Sequence, residues 1–175
     1  MSIAHEVLNR IKCFVFDVDG VLTDGTVLAL ESGEQTRSFN IKDGYGIEKA
    51  LQAGYKVAII SGGNQTGVRK RLEFLKISHI HLGVKDKVVT LDALCNELSL
   101  TPQEILFVGD DLPDYDVMKI SGLPCCPADA THEIREISMY VSTHNGGNGC
   151  VREIIEMVMK KHGTWRKFDV ENINN

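Results

Sequence analysis

The chain reads as an α/β domain, a Rossmann-like parallel sheet with helices on both faces and a β-hairpin after the first strand. Three observations predict it. Short, continuously apolar runs recur at Phe14–Phe16, Val57–Ile60 and Ile105–Val108, the pattern of strands buried on both faces. Segments of helical period separate them, which calls for parallel strands joined by crossovers. Each run also ends on polar or glycine residues: Asp17 and Asp19, Ser61-Gly62-Gly63, and Gly109-Asp110-Asp111. In such sheets ligands bind at the carboxyl ends of the strands, so these three ends, far apart in the chain, converge on one edge.

Taken in order, Cys13–Phe16 is the first predicted strand. Val27–Leu30 and Gln35–Asn40 flank the turn-rich Glu31-Ser32-Gly33-Glu34 and read as a hairpin. Gly46–Ala53 has helical spacing and stops at Gly54. Lys56–Ile60 is a second strand, Thr66–Leu75 a helix, Ile80–Leu82 a short strand and Lys87–Leu98 an amphipathic helix. Thr101-Pro102-Gln103-Glu104 carries a helix-start signature, with Thr101 as cap and proline at the first position. Ile105–Val108 is the third buried strand, and Asp114–Ser121 a short helix. Leu123–Cys126 and Met139–Val141 are further strands, and Gly149–His162 a final helix. The tail after Gly163 is polar and is expected to fray.

Composition narrows the function classes. With 175 residues, 43% hydrophobic and 25% charged, the chain suits one domain with a full core. A net charge of −5 argues against a nucleic-acid surface. No apolar run reaches about 18 residues, and the first twelve residues lack the apolar core of a signal peptide. The five cysteines have no CxxC spacing, so reduced thiols and a cytoplasmic location are expected. His79 and His81 lack an evident third ligand and read as a strand feature.

The strand ends carry the chemistry. Asp17 and Asp19, two residues apart, point to one side if the chain stays extended, and paired carboxylates need a cation or a shared proton. With Asp110 and Asp111, and no histidine or cysteine among them, the donor set favours a hard cation, Mg²⁺ best of all. A metal-held carboxylate can attack phosphorus while a neighbour handles the leaving group's proton. Asp17 suits the first task and Asp19 the second. Lys87, Ser61 and the N–H groups of Gly62 and Gly63 can hold the phosphoryl oxygens.

Four motifs in order resemble the haloacid dehalogenase superfamily: Asp17-Val18-Asp19-Gly20-Val21, Ser61, Lys87, and Gly109-Asp110-Asp111-Leu112-Pro113-Asp114. The second aspartate, Asp19, matches the superfamily's phosphatases rather than its dehalogenases. Thr23-Asp24-Gly25, the run from Phe39 to Ile47, and Gly146 to Glu153 narrow the resemblance to the capless 3-deoxy-D-manno-octulosonate 8-phosphate phosphatase family of lipopolysaccharide precursor synthesis.

The resemblance implies one hydrolase domain over residues 1–175, with a hairpin at 26–40 and a helix and tail at 149–175. It implies a metal site of Asp17, the Asp19 carbonyl and Asp110, with Asp111 as an outer candidate; Asp114 is left between positioning Lys87 or a metal-bound water and capping the following helix. Asn40, Ile41, Lys42, Asp43 and Gly44 would form a substrate loop, Arg71 would reach the sugar acid, and Lys87 would hold phosphate. Neither inter-motif segment is long enough for a cap domain, so a homotetramer whose hairpins close neighbouring sites is implied. Many members carry arginine where this chain has Glu48 and Gly63. The alternatives are a phosphatase for nine-carbon ulosonate 9-phosphates and a non-catalytic partner of a sugar-nucleotide synthase.

Overall fold

A computed structural model describes residue 3 and residues 5–165. Among these residues the main sheet has six strands: β1 (Cys13–Phe16), β4 (Lys56–Ser61), β5 (His79–Leu82), β6 (Ile105–Val108), β7 (Leu123–Cys126) and β8 (Tyr140–Val141). Their order is β5-β4-β1-β6-β7-β8, and every pairing is parallel. The chain runs outward from β1 through β4 to β5, then crosses back to the other side of β1 at β6. That reversal beside β1 is the switch point where such sheets open a crevice.

Alternation along the strands divides the core. Phe14, Phe16, Val57, Ile59, Leu106 and Val108 face one layer, which includes Ile47, Leu72 and Ile154. Cys13, Val15, Ala58, Ile60, Ile105 and Phe107 face the other, against Leu91, Leu94, Met118 and Ile134. The first layer is built by α1 (His5–Arg10), α2 (Ile41–Gln52), α3 (Thr66–Phe74) and α7 (Cys150–Lys161). The second is built by α4 (Lys87–Leu98), α5 (Tyr115–Ile120) and α6 (His132–Ile137). No helix among the described residues is long and apolar enough to cross a membrane.

Several boundaries differ from the sequence reading. The hairpin strands are only β2 (Leu28–Ala29) and β3 (Gln35–Thr36), because the chain leaves the ladder at Arg37 and Asn40 already caps α2. Helix α2 therefore starts at Ile41 rather than Gly46: the Asn40 side chain accepts from Lys42 N–H at 2.8 Å, and the glycines at 44 and 46 do not prevent the first turn. Their absent side chains admit neighbours instead. A Cβ at 44 would lie 2.8 Å from Arg71 Nη2, and one at 46 would lie 3.1 Å from Arg152 Cδ. The Thr101 signature opens only a 3-10 turn over Pro102–Glu104, since Ile105 must enter β6. Helices α1 and α6, six residues each, carry too few periodic positions to stand out in the sequence. The expected tail lies outside the described residues beyond Trp165.

Candidate active site

Strand β1 ends at Phe16, and the chain then turns rather than continuing extended. The amides of Val21, Leu22 and Thr23 all donate to the Val18 carbonyl, and Gly20 takes φ +78°. That turn is wedged from two sides. A Cβ on Gly20 would come 2.0 Å from Asp110 Oδ2, and one on Gly146 would come 1.9 Å from the Gly20 carbonyl oxygen. Gly147 N–H donates to the Val21 carbonyl at 2.9 Å. The glycine-rich segment after β8 thus braces the turn backbone to backbone. It is anchored by the Glu153 carboxylate, which accepts from Tyr140 Oη, Ser142 Oγ and both Thr143 N–H and Oγ1.

Three carboxylates meet at this edge: Asp17, Asp110 and Asp114 each present an oxygen within 4.8 Å of the others. Asp114 arrives because Leu112–Asp114 forms a 3-10 turn that folds its side chain back onto the Asp110 N–H, at 3.1 Å. Gly109 makes room, since a Cβ there would lie 2.4 Å from that of Asp114. Lys87, the first residue of α4, sits among them. Its Nζ is 2.9 Å from Asp17 Oδ2 and 2.7 Å from Asp114 Oδ1. All three of these side chains are nearly buried.

The electrostatics follow from three acids sharing one base. Burial works against charge on Lys87, but Asp17 and Asp114 beside it prevail and hold the ammonium above its ordinary value. Asp110, without an ion pair of its own among the described residues, is pushed up to about 8 by burial and then by Asp17, Asp114 and Asp111. Asp114 is also raised, by burial and by Asp17. A buried oxygen-only donor set with surplus negative charge fits a hard divalent cation of the magnesium type.

Asp19 behaves differently from the expectation of a same-side pair. Extended geometry is lost at Phe16, so its carboxylate stands outside the three-acid group and meets the hairpin instead. Arg37 Nε donates to Asp19 Oδ1 at 2.6 Å and Nη2 to Oδ2 at 3.2 Å. A Cβ on Gly63 would lie 3.4 Å from Asp19 Oδ2, so Asp19 borders the loop after β4. Ser61 is buried at the end of β4, and the Gly63 N–H reaches its Oγ at 3.4 Å.

The remaining expected residues divide. Arg71 lies on α3 above the Phe74 ring and lines a cleft of about 670 Å³ with Arg37, Gln35, Phe39, Asn64 and Gln65. Asn40 to Gly44 are a cap and the first turn of a helix, not a free loop; Ile41 and Lys42 are exposed on it. Asp43 is buried, and its carboxylate accepts from Gly149 N–H at 3.2 Å and Arg152 N–H at 2.7 Å, tying α2 to the start of α7. Asp111 is exposed and accepts from its neighbour Leu112 N–H. Sequence reasoning missed Arg37 altogether. The available signal was a lone cation three residues after the turn of a short apolar arm, which nothing local ties to Asp19.

The chain is similar to known proteins. A family profile described as haloacid dehalogenase-like hydrolase matches residues 80–154. The 3-deoxy-D-manno-octulosonate 8-phosphate phosphatase KdsC of Escherichia coli K12 is 37% identical over 155 residues, covering 89% of this chain and 82% of that protein. Its Yersinia pestis counterpart is 35% identical over 160 residues, covering 90% and 86%. The crystal structure of the Moraxella catarrhalis phosphatase, in complex with magnesium, phosphate and KDO, superposes with a TM-score of 0.92 at 34% identity, covering 95% of this chain and 96% of that one. The cobalt-bound Haemophilus influenzae phosphatase gives 0.87 at 32%, covering 90% and 92%. Identity at this level over nearly the whole of both chains, on a sheet over which no cap domain stands among the described residues, shows that this chain belongs to the capless 3-deoxy-D-manno-octulosonate 8-phosphate phosphatase family of the haloacid dehalogenase superfamily.

Proposed function

We propose that the protein hydrolyses 3-deoxy-D-manno-octulosonate 8-phosphate to the sugar acid and inorganic phosphate, with Mg²⁺ as cofactor. The carrying observation is the nest of Asp17, Asp110 and Asp114 around Lys87 at the carboxyl edge of β1. Asp17, Asp110 and the Asp19 carbonyl would hold the cation, which supplies charge opposite the phosphoryl oxygens. Asp114 keeps Lys87 ionised and aimed, so that its ammonium can also meet the phosphoryl group. The Asp17 carboxylate attacks phosphorus and the bond to the sugar O8 breaks. Asp19, carrying a proton on a lone pair that Arg37 leaves free, delivers it to that oxygen. Asp19 then takes a proton from water as the water attacks phosphorus. The bond to Asp17 breaks and phosphate leaves.

Ser61 and the N–H groups of Gly62 and Gly63 are read as phosphoryl donors, and Arg71 as the cation for the sugar's carboxylate. Asn40, Ile41, Lys42, Asp43 and Gly44 shape the neighbouring wall, with Lys42 as the exposed charge. The protein works as one domain over residues 1–175, in the cytoplasm. The exposed Val27, Leu28 and Leu30 on the hairpin support a homotetramer in which neighbours close each other's clefts.

Phosphate release is to be measured with magnesium on the eight-carbon and nine-carbon sugar acid phosphates side by side. Preference for the eight-carbon ester is expected, and equal or better turnover of the nine-carbon one overturns the assignment. Asp17→Asn should abolish turnover while the protein stays folded.

A further inference from the structure

We infer that Arg37 is a positioning residue for the acid–base carboxylate of Asp19, which makes the hairpin part of the apparatus for leaving-group departure; the inference rests on the phosphatase reading above. Asp17 is fixed within its own surroundings, accepting from Val18 N–H at 2.7 Å and meeting Lys87 at 2.9 Å. Asp19 has no such support. It lies past the end of β1, next to the left-handed Gly20, and outside the three-acid group. Among the described residues, its carboxylate is held by the Arg37 guanidinium.

That grip is two-pronged, from Nε to one oxygen and Nη2 to the other, so it fixes the plane of the carboxylate as well as its distance. Arg37 is itself braced by Nη1 donating to the Gln35 carbonyl at 3.3 Å, and its side chain is 5% exposed although β3 just before it is exposed. A guanidinium this deep under an exposed arm lies beside the carboxylate that must be aimed at the leaving oxygen. Two of the four lone-pair directions on Asp19 are taken from the hairpin side. The other two are left unused by that contact.

Misaiming a general acid costs rate only where the leaving oxygen needs a proton. A sugar alkoxide needs one; 4-nitrophenolate leaves without it. The value of kcat/KM covers the steps up to departure of the alcohol, so it isolates this contribution from the later attack by water. Purified full-length wild type, Arg37→Gln and Arg37→Lys are to be compared with magnesium on the eight-carbon sugar acid phosphate and on 4-nitrophenyl phosphate.

Arg37→Gln should lower the ratio of the two kcat/KM values by about tenfold or more. Arg37→Lys, which keeps one cationic contact without the fork, should fall between. If both esters lose rate by the same factor, or neither does, Arg37 serves only the hairpin's structure and the inference is overturned. Should the glutamine variant fail to fold, an unchanged ratio in Arg37→Lys overturns it equally. A wild type that releases phosphate from neither ester sinks the phosphatase reading first, and that outcome is distinct from the others.

Discussion

Replacing Asp110 by asparagine separates the cost of the acid cluster from its use. Burial and the neighbouring carboxylates push Asp110 from the ordinary 3.8 up to about 8, so ionising it in the metal-free fold is unfavourable. Below the ordinary value the group is protonated in both folded and unfolded chains and costs nothing. As pH rises, the unfolded chain gives up its proton first, so stability declines steadily until the folded group also ionises near pH 8. At 1.36 kcal/mol per pK unit the whole shift amounts to at most about 6 kcal/mol, and sharing of the strain with Asp114 and local relaxation bring the expected gain near 2 kcal/mol. For a chain of this length that is roughly 4–8 °C in melting temperature.

Thermal unfolding is followed by circular dichroism with chelator and with saturating magnesium. In chelator, Asp110→Asn should melt above wild type, with a gap that vanishes near pH 4 and is widest above about pH 8. Magnesium should raise the melting temperature of wild type and leave the variant nearly unmoved. A variant that melts lower than wild type in chelator, or that keeps the full magnesium shift, refutes the view that Asp110 is an uncompensated ligand.

Other perturbations follow from the same geometry. Lys87→Met removes the cation between Asp17 and Asp114, and should cost on the order of 3–5 kcal/mol in denaturant titrations of the metal-free protein, with magnesium restoring part of the loss. Gly20→Ala puts a methyl into the Asp110 carboxylate at a positive φ; isothermal titration should register weakened magnesium binding, together with a loss of about 1–3 kcal/mol in stability. Asp43→Ala leaves the amides of Gly149 and Arg152 unpaired, and should lower stability by about 2 kcal/mol. A rise in KM alone, with stability unchanged, would return Asp43 to substrate contact.

Much of this was legible before any coordinates. The three inner strands announce themselves because both faces are covered, which leaves no polar position to interrupt the run from Phe14 to Phe16 or from Ile105 to Val108. Helix α4 was bounded at both ends by its own periodicity. The sequence signal for helix α2 begins five residues after its first residue, because glycines at 44 and 46 look like breakers when the side chains that fill their place, Arg71 and Arg152, come from distant elements. The hairpin strands read longer than they are for a similar reason: just past β3, Arg37 meets Asp19, eighteen residues away in the chain.

The amino-acid order by itself determined the parallel sheet, the edge on which the acids gather and the residue types that suit magnesium, since these follow from periodicity and from the chemistry of carboxylates. Only the tertiary structure decided which acids share the site. A 3-10 turn brings Asp114 in and leaves Asp111 in solvent, and the Asp19 carboxylate, outside the three-acid group, meets the hairpin's guanidinium. Those choices depend on distances of a few ångströms between segments far apart in the chain. Local spacing does not encode them, because the backbone's direction after a strand is set by what packs against it.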